Sequence, residues 1–259
     1  MATRRSNKRK QRDRGRFGAL YKIFSLIIIL VVVAAGCVVF FRVETITVDG
    51  EERYTAAEVT AASGVEQGDN LFLLDRLGIA RRIMAELPYV ENVNIRRAYP
   101  DGVIITVQEC RAAAVIQGED GDGWWLINTS GKILEQAASG DVAGTARIAG
   151  LTASFPAVGA ALRAPEGGTY RLTVLLELMD ALESQGMMEQ VSSIDLSGTS
   201  SVLVDLNGWV TLEIGLTADF QEEMGTLKAI LDSGDIQPNE RGTIIKTQGD
   251  RYSFVPRES

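Results

Sequence analysis

Hydrophobic positions fall into three rhythms along the chain. Residues 23–41 read IFSLIIILVVVAAGCVVFF, nineteen consecutive positions without a charge. At a rise of about 1.5 Å per residue, such a run crosses a hydrocarbon core of about 30 Å. Lys22 and Arg42 fence its two ends, as expected of a transmembrane helix. The rhythm then shortens. Over residues 43–48, Ile46 and Val48 alternate with polar neighbours, which predicts a strand closed by Asp49-Gly50. Thr55-Ala56-Ala57-Glu58 has the form of a capping box, so a short helix should start at Thr55 and end near Gly64. Residues 71–74 are a short apolar segment. Leu77, Ile79, Ala80, Ile83, Met84 and Leu87 keep helical spacing until Pro88 stops it. Val90, Val93 and Ile95 lead to Tyr99-Pro100-Asp101-Gly102, a turn in which Pro fixes φ and Gly supplies a positive φ. Val103, Ile105 and Val107 return at period two. The predicted order over residues 42–111 is βααββ.

Residues 112–259 mix both periods. Residues 124–127 and 133–134 flank Asn128-Thr129-Ser130-Gly131, a predicted hairpin. Leu172, Leu175, Leu176, Met179 and Leu182 predict a helix over 170–185, ending at Gly186. Residues 191–196 and 202–206 read as strands. Asn207-Gly208 is a strong hairpin turn before the return strand at 209–214. Phe220, Met224, Leu227, Ile230 and Leu231 predict a second helix, ending near Gly234. Residues 242–247 and 251–255 close the chain as strands around Gln248-Gly249-Asp250. The class is α+β: one N-terminal membrane helix, a βααββ domain, and a β-rich domain with two helices.

Charge fixes the orientation. The net charge of −8 hides a split. Residues 1–22 carry nine basic side chains and one acid, whereas residues 42–259 carry 17 basic and 33 acidic ones. The excess of Lys and Arg before the span puts the basic tail in the cytoplasm and residues 42–259 outside. Beside a membrane, such a tail also attracts anionic lipid. The acidic outer portion would repel a phosphate backbone, so no nucleic-acid partner is expected. Ala34-Ala35-Gly36-Cys37 is similar to a lipoprotein processing box. However, Ala stands where Leu is usual, and the chain stays apolar through residues 38–41, so an uncleaved anchor is the reading adopted.

Catalytic patterns fail on inspection. There is no histidine, which removes His-based triads and His-ligated zinc. The acidic run at 118–123 suggests a calcium loop, but counted from Asp120 the fifth position is Trp124 and the twelfth is Gly131. A polar hairpin tip fits better. Ser130-Gly131-Lys132 lacks the hydroxyl and first glycine of a phosphate loop. Lys246-Thr247-Gln248 misses the Lys-Thr-Gly of penicillin-binding enzymes, and no Ser-x-x-Lys accompanies it. Glu222-Glu223 are adjacent on a helix, cannot clamp one bond, and are expected on a solvated face. Asn128-Thr129-Ser130 is a formal glycosylation sequon, with a turn the favoured role. Cys37 and Cys110 lie on different sides of the span's end and should not pair. Cys110 reads as a small residue at a strand end, with a redox role as the alternative. Trp124-Trp125 reads as core, or as an exposed hot spot. No cofactor and no metal site is expected.

The stretch RVETITVDGEERYTAAEV, then LFLLDRLGIARRIMAELPYVENVNIRRAYPDGVIITVQE, resembles a POTRA domain. Its marks are the strand closed by Gly50, the helix start at Thr55, Leu71-Phe72, Leu87-Pro88-Tyr89-Val90, and the turn at 97–102. A POTRA domain behind a single anchor, followed by about 150 β-rich residues, is similar to the FtsQ/DivIB family of bacterial cell-division proteins. The resemblance implies a basic cytoplasmic tail at 1–22, a transmembrane helix at 23–41, a POTRA domain at 42–111 and an FtsQ/DivIB-type β domain at 112–259. It implies a non-enzymatic scaffold of the cell membrane at the division septum. The implied partners are FtsB/DivIC-type and FtsL-type membrane proteins, with a septal peptidoglycan synthase beyond them. A strand at a sheet edge can accept a partner strand. The resemblance places that contact on Gly242, Thr243, Ile244, Ile245, Lys246, Thr247, Tyr252 and Phe254. Residues 94–97 of the POTRA domain are a second candidate edge. The alternative reading is a membrane-tethered cell-wall enzyme, or a lipoprotein, with an unrecognised site.

Overall fold

The computed structural model describes residues 15–257 apart from 51, 235, 237–239 and 248–250. Most of the basic tail expected at 1–22, and all of the turn expected at Gln248-Gly249-Asp250, lie outside the described residues. The first element is α1 (Gly15–Phe40). Within it, Leu20–Cys37 is long and apolar enough to cross a membrane, and none of that stretch is buried in the protein. The helix starts before the expected span because Lys22 is a good helix former and no barrier to it. It ends one residue early. Phe41 leaves the helix, stacks edge-on against Phe72 and Tyr99 with centroids 5.1 and 5.9 Å away, and accepts the Leu71 N–H at 3.0 Å.

The next segment folds as β1 (Thr45–Asp49), α2 (Ala56–Ser63), α3 (Arg76–Glu86), β2 (Val90–Ala98) and β3 (Gly102–Glu109). The strand order is β1-β3-β2, with β1 parallel and β2 antiparallel to the central β3. The expected βααββ order is present. Thr55 caps α2 with a complete capping box, and Gly64 ends it in the left-handed region at φ 61°. Val59, Ala62, Ile79 and Ile83 of the helices bury against Ile95, Val103, Ile105 and Val107 of the sheet. Two details differ from the sequence reading. Gly102 does not take a positive φ. It is the first residue of β3, where a Cβ would lie 3.0 Å from both the Ala98 Cβ and its carbonyl oxygen. Close approach across the hairpin, not φ, requires the glycine. Leu77, expected on the apolar face of α3, is exposed.

The remaining chain builds a nine-stranded sheet. Its elements are β4 (Ala114–Gln117), β5 (Trp124–Ile127), β6 (Ile133–Ala137), β7 (Ala146–Ala149), α4 (Thr169–Ser184), β8 (Val191–Asp195), β9 (Ser201–Leu206), β10 (Val210–Gly215), α5 (Phe220–Asp232), β11 (Gly242–Thr247) and β12 (Arg251–Pro256). The order across the sheet is β12-β11-β10-β9-β8-β7-β4-β5-β6. Both expected hairpins form, β5–β6 and β9–β10. At the second, Asn207 and Gly208 both take positive φ, 50° and 72°, as the tight turn demands. Strands β4 and β7 were not expected. Each is four residues long, too short to set an alternation apart from its surroundings. Alternation within the sheet separates two faces. Ile116, Ile127 and Ile133 face α4 and α5 in the main core. Val115, Leu126 and Leu134 face the other way, onto Tyr89 of the first segment.

Candidate partner-binding edge

The residues expected to hold a partner divide between two strands. Gly242, Thr243, Ile244, Ile245, Lys246 and Thr247 form β11, which is not an edge. It pairs in parallel with β10, from Val210↔Gly242 to Glu213↔Ile245, and antiparallel with β12, from Gly242↔Pro256 to Thr247↔Arg251. The parallel pairing puts β11 inside the sheet. A helix, α5, separates β10 from β11, and such a crossover returns the chain beside the strand it left. Tyr252 and Phe254 lie on β12, the outermost strand. The edge is thus residues 251–256, with β11 behind it.

Backbone direction follows from one bond. The Arg257 N–H donates to the Arg241 carbonyl at 2.8 Å. Inward-facing residues alternate along an antiparallel pair, so Val255, Ser253 and Arg251 also turn their backbone groups to β11. The N–H and C=O of Phe254 turn away from it. Proline at 256 lacks an N–H and trims the outer margin at that end.

Side chains lock β12 to the domain. The rings of Tyr252 and Phe254 are half-buried against the main core, while Ser253 and Val255 face solvent. Gly242 leaves room for the Phe254 ring: a Cβ there would meet Phe254 Cζ at 2.4 Å and the Val255 carbonyl oxygen at 2.5 Å. Lys246 Nζ donates to Glu223 Oε1 at 2.7 Å and sits 5.9 Å from the Tyr252 ring centre. This overturns the expectation that Glu222-Glu223 form a solvated face. Glu223 is only 5% exposed, on the same side of α5 as Phe220, Met224 and Leu227. A buried carboxylate needs a cation and a hydrogen bond; Lys246 supplies both to Oε1, while Oε2 is buried with no hydrogen-bond partner among the described residues. The second candidate edge, residues 94–97, lies on β2, which pairs only with β3 among the described strands. Arg97 there donates from Nε to the Leu71 carbonyl and from Nη2 to that of Phe72 at 3.3 Å.

Sequence reasoning missed the joint between the two sheets. Lys132, from the β5–β6 turn, donates its ammonium to the carbonyls of Met84 and Val90 at 3.0 and 2.9 Å, the first of which lies in the last turn of α3 and lacks an intrahelical partner. Burial there pulls its pKa down. Asn128, 1% exposed, accepts from the Lys132 N–H at 2.7 Å and donates to Glu91 at 3.3 Å. Its place is the turn, and its amide is not exposed for a glycan. The Tyr89 hydroxyl donates to Glu135 Oε1 at 2.8 Å, and Arg53 stacks 3.8 Å from the Tyr89 ring centre. Burial first, then that bond, push the Tyr89 pKa up to about 12. Cys110 is an unpaired thiol, and its pKa is raised by burial, which makes it a poor nucleophile. The two tryptophans split between faces. Trp125 packs toward the main core and Trp124 toward the joint, with Arg147 4.9 Å from the Trp124 ring centre.

Comparison with known proteins places this architecture. Residues 41–109 match a family model described as POTRA domain, FtsQ-type. The chain is similar to the cell division protein FtsQ of Corynebacterium glutamicum, 27% identical over 88% of this chain and 91% of that protein. It is also similar to the cell division protein FtsQ of Syntrophotalea carbinolica, 26% identical over 82% of this chain and 76% of that one. A third relative is the cell division protein DivIB of Clostridium botulinum, 21% identical over 95% and 94%.

Proposed function

We propose, starting from a chain that is a homologue of the FtsQ/DivIB cell-division proteins, that it is a bitopic scaffold of the division machinery. Similarity over nearly the full length to proteins named for cell division, together with one exposed apolar helix at the N-terminal end, supports a single-pass protein at the septum. The basic tail sets the N-terminus in the cytoplasm and both sheets outside. The scaffold binds, and does not catalyse. Its partners are FtsB/DivIC-type and FtsL-type membrane proteins, held so that septal peptidoglycan synthesis is positioned or regulated.

One observation carries the mode of binding: the nine-stranded sheet ends on β12, and the Phe254 N–H and C=O face outward from it. A partner segment adds there as a further strand. Main-chain bonds supply affinity, and alternate side chains supply selection. Tethering in the same membrane raises the effective concentration to the order of mM, so a modest strand–strand contact is sufficient.

The test separates the two sides of β12. Phe254→Pro removes an outward N–H, and proline is tolerated on an edge strand. Ser253→Pro removes an inward donor to β11. We expect Phe254→Pro to lose co-purification with the DivIC-type partner beyond any loss in Phe254→Ala, which removes the core-packed ring but keeps the outward N–H, while both chains stay folded and membrane-inserted. Ser253→Pro should lower the melting temperature as well. Co-purification by folded Phe254→Pro no weaker than by Phe254→Ala would reject strand addition at β12.

A further inference from the structure

The join between α1 and the three-stranded sheet contains no slack. Phe41 N–H still bonds the Cys37 carbonyl at 3.1 Å. Two residues later the chain is already clamped: Val43 N–H donates to the Asp69 carbonyl at 2.8 Å, Gly68 N–H returns to the Val43 carbonyl at 2.8 Å, and Arg42 pairs with Asn70 as an antiparallel bridge. The helix that crosses the bilayer and the segment at 68–73 are therefore parts of one body.

That segment and the β2–β3 turn present apolar side chains to the outside. Phe72 is 47% exposed, Leu73 77% and Tyr99 58%. Phe40, at the last turn of the helix, is 72% exposed. The rings of Phe40, Phe41, Phe72 and Tyr99 touch in sequence, with centroid separations of 5.5, 5.1 and 5.9 Å. An aromatic chain thus runs without a break from the membrane helix onto the folded domain. Depth decides what covers it. The uncharged run continues through Phe40 and Phe41 to Arg42, so those two rings sit at the outer boundary of the hydrocarbon core. The headgroup zone on each side of the hydrocarbon core is about 5–8 Å thick. Phe72 and Tyr99, within ring contact of Phe41, fall inside that zone, where aromatic side chains concentrate.

The geometry points to a membrane-docking face on the POTRA domain: Phe72, Leu73 and Tyr99 insert among the phospholipid headgroups around the exit of α1. The occupant is lipid because the patch is continuous with a helix already in the bilayer. The docked face fixes the tilt of the domain, so that the nine-stranded sheet and its outermost strand are held in one orientation above the surface instead of swinging on a hinge.

The full chain is reconstituted in nanodiscs of phosphatidylcholine and phosphatidylglycerol, with the photoreactive residue benzoylphenylalanine at position 73, 99 or 203. Position 203 carries a leucine exposed on β9 and serves as the distant control. Irradiation should add a phospholipid mass at 73 and 99 and leave 203 at background. Inserted chain without lipid adducts at 73 overturns the docking face while leaving the proposed scaffold role standing. In native membrane vesicles, a residue-73 adduct to protein alone also overturns it. Chain that fails to co-purify with the nanodiscs overturns both the membrane span and this face.

Discussion

Single side chains tie the two sheets together, and Tyr89 shows how. Its hydroxyl must keep a proton to donate to Glu135, and its folded pKa of about 12 lies above the ordinary 10.0. A group whose pKa is raised on folding contributes stability that is fully present below its unfolded pKa. The contribution is lost as pH rises through the folded one. The joint should therefore weaken between about pH 10 and pH 12. Tyr89→Phe removes that component. Thermal melts in detergent from pH 9 upward should fall more steeply for the parent than for the variant; parallel curves would dissociate Tyr89 from the joint. None of this was legible in the sequence. Tyr89 and Glu135 are 46 positions apart, and only the fold brings them together. Glu223 failed for a related reason: an adjacent acidic pair looks solvated until the strand carrying Lys246 arrives beneath it.

At the scale of elements, local chemistry was readable wherever it closes within a few residues. The Thr55 capping box, the Asn207-Gly208 turn and the helices α3, α4 and α5 all rest on contacts one turn or one hairpin long. Pairing order rests on contacts across the chain, so the sequence showed β11 and β12 but not which of them is outermost. Gly242 is the residue that lets them lie flush. Gly242→Ala would drive a methyl group into the Phe254 ring and the Val255 carbonyl, and the backbone oxygen cannot move aside cheaply. We expect this substitution to cost about 1–3 kcal/mol and to raise amide exchange selectively over residues 251–257. Unchanged exchange there would show that the β11–β12 contact does not depend on that close approach. Because both predictions concern how β12 is held, Gly242→Ala should also weaken partner capture without touching the outer margin of the strand.

For the whole molecule, physics ties position to assembly. An apolar helix long enough to cross a membrane opens the described chain, the three-stranded sheet follows it with no free linker, and Lys132, Asn128 and Tyr89 tie the nine-stranded sheet to the three-stranded one. On the proposed reading, this body carries its outermost strand at a set place relative to the membrane, where other tethered chains would pair with it. The βααββ order and the long apolar helix were visible from hydrophobic spacing alone; the joint between the two sheets was not. The central claim is that this body works at the division site. A fluorescent fusion of the full chain, followed through the cell cycle, tests it most directly. The account predicts a band at midcell that persists through constriction; an even signal around the cell rim in constricting cells would contradict it.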